Sequence, residues 1–286
     1  MKVSAFTFIK NGELLGYPFI ESIMSVLPIV DEFIVNVGDS EDNTLDQILK
    51  IQSKKIKVIK SSWNENMHNK GYVYGQQKMI AQFNCSGDWA FYVEGDEVYH
   101  EQDLKKITQL LKDNHKKNEI EAIAFKFIHF YGNKNSFLDS PGWYRSEVRI
   151  IRNTIRTYAP DGLFWVVLNK NKNGRYPKAI ESDVNCYHYG WVRSEKEMNL
   201  KSKKVNKYWG SKPKKINYSN IDQKIIKKFT GSHPKVLDGW LDQNSEIFKA
   251  DSGHKLSFKE KKHRLMLAIE KIFRVDLSKK HYSKVG

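Results

Sequence analysis

Residues 88–98 read DWAFYVEGDEV, an apolar run that ends abruptly in acidic residues. The part from Trp89 to Val93 is aromatic and apolar, as expected for a buried strand. Three carboxylates follow within four residues, at Glu94, Asp96 and Glu97. Carboxylates this close raise one another's pKa unless water, a cationic side chain or a bound cation neutralises them. The stretch is therefore either an ordinary solvated loop or the ligand-binding end of a strand, and its surroundings decide between the two.

Strands and helices alternate along the chain before this stretch. Apolar, β-branched runs at 4–9, 33–37 and 56–59 predict strands, and amphipathic segments between the strands predict helices, the last over 72–83. Such alternation is typical of a mainly parallel sheet that is covered by helices on both faces. We therefore predict an α/β fold in which the acidic residues after Val93 lie at the carboxyl edge of the sheet, where such folds bind ligands.

The positive charge is concentrated in the last third of the chain. The formal net charge is +15, and residues 196–286 contain 21 Lys and 2 Arg against 9 acids, while residues 1–195 are nearly neutral. This division predicts an α/β body over 1–195 and a basic, mostly helical extension over 196–286 that packs on it, with helices over 195–208 and 258–274. A basic face attracts anionic lipid, nucleic acid or an anionic substrate, and a solvated lysine-rich surface explains it equally well.

The compartment is indicated by weak signals. Two cysteines, Cys85 and Cys186, match neither a disulfide framework nor a zinc motif, which favours a reducing compartment. The start of the chain lacks a signal-peptide pattern, and no apolar run reaches the roughly 18 residues that a membrane span needs. We expect a cytoplasmic protein, with peripheral contact at the inner face of an anionic membrane through a basic amphipathic helix as a further option.

The acidic cluster also predicts a type of chemistry. Hard cations such as Mg²⁺ and Mn²⁺ prefer carboxylate oxygens, and Mg²⁺ is typically held by one or two carboxylates together with substrate phosphates. A divalent cation would relieve the repulsion among Glu94, Asp96 and Glu97. The stretch therefore predicts metal-assisted handling of a phosphorylated ligand.

Several motifs together resemble family 2 glycosyltransferases of the GT-A fold. The sequence EGD at 94–96 is similar to the acid-x-acid motif that follows a strand in that family. FTFIKNG at 6–12 is similar to its first strand and Lys/Arg-Asn-Glu turn, and VDEFIVNVGDSEDNT at 30–44 is similar to its V-D-E-I-I-V-V-D-x-G-S-x-D-x-T signature. The resemblance covers residues 1–195 and implies that they form a GT-A catalytic domain. It implies an inverting, metal-assisted transfer of a sugar from a nucleotide-diphosphate sugar to a hydroxyl of a glycan or lipid-linked acceptor.

The resemblance also implies roles for single residues. Asp96 matches the metal-binding position, and Glu94 stands in the first acidic position, where Asp is more common. His188, in NCYHYGWVR, is either a further ligand of Mn²⁺ or Mg²⁺ or a structural histidine. Asp39 occupies the place of the usual Gly in G-S-x-D, and Arg149 is either a phosphate contact or a partner of nearby acids. The implied donor-binding residues are Phe8, Lys10, Asn11, Asp39, Glu94 and Arg149.

An inverting transfer needs a carboxylate that takes the proton of the acceptor hydroxyl. The candidates are Asp161, in TYAPDGLFW, and Asp183, in AIESDVNCYH, with Glu147 and Glu181 behind them. We favour Asp161 because its Pro-Asp-Gly turn suits the rim of a pocket.

Two other classes of protein are consistent with parts of the sequence. Positive charge and aromatic residues suggest a nucleic-acid-binding protein, but the aromatic residues lie mostly in predicted strands and helices, apart from the basic extension. A metal-dependent nucleotidyltransferase would likewise use carboxylates on a nucleotide. Nucleotide-sugar binding distinguishes the transferase from the nucleic-acid binder, for which we see less support.

Overall fold

The alternating strands and helices predicted for the first half of the chain are present in the structure, a computed structural model that describes residues 1–244 and 249–285. The strands are β1 (Val3–Ile9), β2 (Glu32–Gly38), β3 (Ile56–Ser61), β4 (Trp89–Tyr92), β5 (Glu97–Tyr99), β6 (Ala122–Tyr131), β7 (Asn133–Leu138), β8 (Ser146–Arg152), β9 (Thr157–Tyr158), β10 (Val166–Leu168), β11 (Gly174–Arg175), β12 (Lys178–Trp191), β13 (Ile226–Lys228) and β14 (Ser283–Lys284).

The helices cover both faces of the sheet and much of the last third of the chain. The α-helices are α1 (Phe19–Val26), α2 (Thr44–Leu49), α3 (Tyr72–Phe83), α4 (Leu104–Asn114), α5 (Glu195–Val205), α6 (Asp238–Asn244) and α7 (Phe258–Phe273). Single turns of 3-10 helix occur at Leu27–Ile29, Glu101–Asp103, Asn206–Trp209, Gln223–Ile225 and Lys235–Leu237.

The large sheet has a parallel half and a mixed half. The strand order runs β3-β2-β1-β4-β8-β6-β7-β13, and the first four of these strands are parallel. Strand β8 runs antiparallel to both β4 and β6, whereas the long strand β12 is parallel to β6. The predicted α/β class is confirmed, and the carboxyl ends of β1, β2 and β4 meet at one edge.

Alternation along β1 explains why this half of the sheet is covered on both faces. Val3 and Ala5 belong to one hydrophobic cluster, with side chains of α1 and α4, whereas Phe6 belongs to another, with Ala81 of α3 and Trp165. Side chains of a strand point to opposite faces in turn, so a strand with helices on both sides needs apolar residues at nearly every position. The central strands are therefore buried on both faces, and they carry the residues at their ends to one edge of the sheet.

The basic extension contacts the sheet through strands as well as helices. Strand β13 pairs with β7, and β14 pairs with β12, so residues beyond 195 add to the same large sheet. Helix α5 begins at Glu195 with a capping box formed by Ser194 and Glu197, close to the predicted boundary. The division at residue 195 stays a prediction. Among residues 1–244 and 249–285, no helix combines the length and the apolar character needed to cross a membrane.

Candidate active site

A cavity of about 730 Å³ lies at the carboxyl edge of the parallel strands. Its floor is made by the ends of β1 and β4, and α5 with the 3-10 turn after it forms the opposite wall. Its lining therefore combines residues from the first hundred positions with residues from the basic extension. The residues on which the site depends are Phe8, Lys10, Asn11, Trp63, Tyr74, Glu94, Asp96, His188, Lys201, Lys204, Lys207, Tyr208 and Trp209.

Asp96 is a buried carboxylate that faces positive charge in this cavity. Its side chain is 8% exposed, with Lys201 Nζ 3.3 Å from Oδ2 and His188 Nε2 3.7 Å from Oδ1. Burial alone would raise the pKa of Asp96, but the positive charges of Lys201 and Arg193 outweigh this effect and lower the pKa below its usual value. Asp96 is therefore ionised at neutral pH, and it attracts cations into the cavity.

Glu94 and Glu97 share one guanidinium. Arg149 Nε and Nη2 donate to Glu97 at 2.8 and 2.5 Å, and Nη2 also donates to Glu94 Oε1 at 3.0 Å. Arg149 and Glu97 are completely buried, while the side chain of Glu94 is 28% exposed. Burial, reinforced by the charge of Glu97, raises the pKa of Glu94 to about 8. Glu94 therefore binds a proton more readily than an ordinary glutamate does.

The ion pairs of Arg149 with Glu94 and Glu97 separate Glu94 from the other predicted metal ligands. Glu94 turns to Arg149, and among the described residues no group of three or more His, Cys, Asp or Glu side chains is placed to hold a metal ion, so the predicted trio with Asp96 and His188 is not assembled. Arg149 does not line the cavity, because Glu97, Glu94 and backbone carbonyls take up its donors. Its position is that of the partner of nearby acids, the alternative left open by the sequence, and not that of a phosphate contact.

Of the three predicted metal ligands, Asp96 and His188 remain, and their side chains face one space. Gly190 keeps that space open, because a Cβ there would lie 2.6 Å from His188 Nε2 and 3.0 Å from Asp96 Oδ2. The Lys201 ammonium reaches into the same region, 3.3 Å from Asp96 Oδ2 and 3.4 Å from the Gly190 carbonyl oxygen. A carboxylate and an imidazole that face one gap, which an ammonium group also reaches, are suited to bind a divalent cation. The other ligands of that cation would come from the substrate.

The predicted donor-binding residues at the ends of β1 and β2 separate into two groups. Phe8, Lys10 and Asn11 line the cavity, with Lys10 paired to Glu65. Asp39 is exposed and lies outside the cavity lining, although Glu41, two residues later, lines the cavity.

Sequence reasoning missed an aromatic wall and a row of lysines. The rings of Trp63, Tyr74 and Tyr208 lie within 5.4–5.5 Å of one another, and Trp209 stacks on Tyr74 at 6.0 Å. Three lysines of α5 and the following turn pair with acids that line the cavity: Lys201 with Asp96, Lys204 with Glu41 and Lys207 with Glu65. Their spacing of three residues, which places them on one helix face, was the signal in the sequence that could have identified them.

The two leading candidates for the proton acceptor are in different surroundings. Asp161 is half-buried next to Gly162 and Leu163, which line the cavity, and its Oδ1 accepts a hydrogen bond from the Leu163 N–H at 2.8 Å. Asp183 is exposed, pairs with Lys126 at 2.8 Å and does not line the cavity.

The other two candidates for the proton acceptor, Glu147 and Glu181, each pair with other side chains. Glu147 is buried and lies 2.5 Å from His281, and Glu181 pairs with Lys280 and Lys284. Neither lines the cavity, so Asp161 is the candidate closest to it.

Lys78 supports the loop that contains Asp161 and gives the protein a testable pH dependence. It is fully buried, its Nζ donates to the Gly162 and Leu163 carbonyls, and it lies 3.5 Å from the Trp165 ring centroid. Burial, followed by repulsion from Arg149, lowers its pKa to about 7.

Between pH 7 and 10.5 the unfolded chain holds the Lys78 proton and the folded chain does not, so rising pH favours folding there. We expect wild type to gain about 3 kcal/mol of stability relative to Lys78→Met between pH 7 and 10. Urea unfolding of both proteins across this range measures the difference. A constant difference would show that Lys78 is charged in the folded protein throughout.

Three solved structures that resemble the chain are 15–18% identical to it, and each of these three matches covers less than half of the other chain. S. aureus TarS 1-349 in complex with UDP-GlcNAc is 16% identical, and the match covers 54% of this chain and 46% of that one, with a TM-score of 0.35. S. aureus TarS is 15% identical over 70% of this chain and 39% of that one, with a TM-score of 0.40. Glucosyl-3-phosphoglycerate synthase from Mycobacterium tuberculosis, in complex with Mn²⁺, uridine-diphosphate and glucosyl-3-phosphoglycerate, is 18% identical over 46% and 45%, with a TM-score of 0.32.

The family assignment comes from the sequence itself. No curated protein matches the chain. A family model described as Glycosyl transferase family 2 matches residues 11–164, which is more than half of the 286 residues. This match includes the acidic motif at 94–96 and the whole signature at 30–44. The chain therefore belongs to glycosyl transferase family 2, as its motifs predicted.

Proposed function

We propose that this chain transfers a sugar from a nucleotide-diphosphate sugar to a hydroxyl of a glycan or lipid-linked acceptor, with inversion at the anomeric carbon. The observation that supports this most is the composition of one cavity, where Asp96 and His188 lie beside an aromatic wall and a row of lysines. A nucleotide sugar has matching parts: a base that stacks on rings and a diphosphate that seeks cations. Family membership supports the same reading.

The lining suggests how the donor lies. The base would stack near Phe8 and the Trp63–Tyr74 wall, with Lys10 and Asn11 at the side of the nucleoside. The diphosphate would then lie toward Lys201 and the space beside Gly190. In this arrangement α5 closes over the donor and excludes water from the bond that breaks.

Asp96 and His188 would hold a divalent cation, Mn²⁺ or Mg²⁺, in the space that Gly190 leaves open. When bound, the cation supplies positive charge for the departing nucleoside diphosphate. Lys201 would neutralise a second part of that charge, since its flexible side chain already reaches the same place. Glu94 stays with Arg149 and keeps the loop before Asp96 in position.

Inversion requires the acceptor hydroxyl to attack from the side opposite the diphosphate while a base takes its proton. We assign the base to Asp161, because it is the candidate acid that adjoins the cavity. The backbone N–H groups of Leu163 and Phe164 point at one carboxylate oxygen, Oδ1, which fixes the carboxylate and leaves the other oxygen for the acceptor.

The substitution Asp161→Asn tests this role without removing the turn. The Asn side chain keeps an oxygen that can accept from Leu163, but it cannot take a proton. We expect kcat for transfer or for slow donor hydrolysis to fall by about 10² to 10⁴, with donor affinity nearly unchanged. Release of nucleoside diphosphate measures this rate.

Asp183→Asn is the matched control, because Asp183 is an exposed aspartate outside the cavity. We expect it to retain wild-type turnover. Full activity of Asp161→Asn would exclude Asp161 as the base, whereas a loss in Asp183→Asn instead would move the role there.

We place the protein in the cytoplasm, with peripheral contact at an anionic membrane surface as part of the proposal. Helix α7 supports this contact, because Phe258, Leu265 and Ile272, seven residues apart, are exposed among lysines. An exposed apolar stripe flanked by positive charge suits the boundary between lipid headgroups and acyl chains.

A further inference from the structure

Two histidines from neighbouring strands form a chain of contacts that leads to the cavity. His129 of β6 and His188 of β12 are paired in register, and their Nδ1 atoms are 3.0 Å apart. The other ring nitrogen of His129, Nε2, lies 2.7 Å from the carbonyl oxygen of Tyr144. The contacts thus lead from a backbone carbonyl through the rings of His129 and His188 to the space in front of Asp96.

The hydrogen positions in this series of contacts follow from the Tyr144 carbonyl oxygen at one end. A carbonyl oxygen can only accept a hydrogen bond, so Nε2 of His129 must carry a proton. His129 is 2% exposed and is surrounded by the rings of Phe127, Trp143 and Tyr144, a setting that disfavours a charged imidazole. A neutral imidazole has one ring proton, so Nδ1 of His129 is the acceptor.

The same reasoning fixes the second ring. If His129 Nδ1 accepts, the Nδ1 of His188 must donate to it. A neutral His188 then has no proton on Nε2, the atom that lies 3.7 Å from Asp96 Oδ1. Two atoms with lone pairs then face each other with no hydrogen between them, and a cation bound between them would stabilise this arrangement.

We propose that His129 is a positioning residue that fixes His188 in the Nδ1–H tautomer, so that the Nε2 lone pair of His188 faces the Asp96 carboxylate. Partners of this kind orient metal-binding histidines in proteins, and their loss typically lowers metal affinity 10- to 100-fold. The inference rests on the proposed function only in assigning the space beside Gly190 to a divalent cation. The tautomer itself is a property of the protein without metal.

The first test is an NMR measurement on the metal-free wild-type protein. Long-range ¹H–¹⁵N correlations of the imidazole rings distinguish the two tautomers, and a His188→Gln variant assigns the signals of His188. We expect Nδ1 of His188 to carry a hydrogen and Nδ1 of His129 to carry none. A His188 whose Nδ1 carries no hydrogen would overturn the proposal.

The second test removes the acceptor and then restores it. His129→Leu has no atom to accept from His188, whereas His129→Asn places an amide oxygen near the former Nδ1. We expect His129→Leu to bind Mn²⁺ about 10- to 100-fold more weakly than wild type, measured by electron paramagnetic resonance of the free ion, and His129→Asn to stay within about threefold of wild type. The imidazole spectrum of His188 should change in the Leu variant only.

Trp143→Phe controls for packing, because it alters a ring against His129 without touching the nitrogens. Equal Mn²⁺ affinity in wild type and His129→Leu, or equal losses in the Leu and Asn variants, would contradict the positioning role. If wild type binds no Mn²⁺ at all, the metal in the proposed function is wrong, and the tautomer measured by NMR still decides the inference about His129.

Discussion

The Asp96→Asn protein is expected to fold normally and to lose sugar transfer by about a thousandfold or more. The amide keeps the shape of the side chain but removes the negative charge that lies beside both Lys201 and His188. Without it, the space beside Gly190 loses the charge that would hold a cation next to the departing diphosphate. Release of nucleoside diphosphate and the affinity for Mn²⁺ should therefore fall together.

Asp242→Asn is the control for Asp96→Asn, because Asp242 is an exposed acid that pairs with Lys134 at 3.1 Å away from the cavity. It should keep wild-type turnover. Circular dichroism and urea unfolding confirm that the Asp96 variant is folded, with a loss of at most about 2 kcal/mol. Retained turnover in a folded Asp96→Asn protein would contradict the assignment of this carboxylate.

Arg149→Met should be among the most destabilising single changes in the core of the protein, with a loss of about 3 to 5 kcal/mol. Arg149 and Glu97 are both completely buried, so the substitution leaves an unpaired carboxylate without access to water. It also removes the partner of Glu94. The free energy of unfolding in urea measures the loss.

A second change shows whether the unpaired charge causes this loss. The double variant Arg149→Met, Glu97→Gln has no charge at position 97. We therefore expect it to regain at least half of the free energy of unfolding that the single variant loses. If the single variant does not accumulate, Arg149→Lys provides an intermediate, since an ammonium keeps the charge but not the two parallel hydrogen bonds. A single variant within 1 kcal/mol of wild type, or a double variant no more stable than the single one, would contradict this account.

The sequence predicted the parallel half of the sheet well, because its signals are local. The helix predicted over 72–83 is observed as Tyr72–Phe83, and the predicted strands at 4–9, 33–37 and 56–59 lie within β1, β2 and β3. Each of these segments carries its own apolar period and ends at turn residues. Strand β12 was harder to identify, because register shifts between Glu181 and Asn185 break the alternation of its side chains.

The candidate site was predictable only where a motif sits at a strand end. The motif indicated Asp96, and the structure places it in the cavity. The lysines of α5 come from more than a hundred residues away in the chain, and the contact between Lys201 and Asp96 is a property of tertiary structure. The sequence also does not show which charged residues are buried. Arg149 is enclosed by acids, whereas Asp183 is exposed to solvent.

The most direct test of the central claim is a donor screen with the wild-type protein and Asp96→Asn. UDP, GDP, dTDP and CMP sugars would each be incubated with Mn²⁺, with Mg²⁺ and with a chelator, while binding and slow hydrolysis are recorded. The account predicts that wild type binds or hydrolyses at least one nucleotide-diphosphate sugar in a metal-dependent manner and that Asp96→Asn does not. No signal with any donor and metal, together with tight and salt-sensitive binding to DNA or RNA, would contradict it.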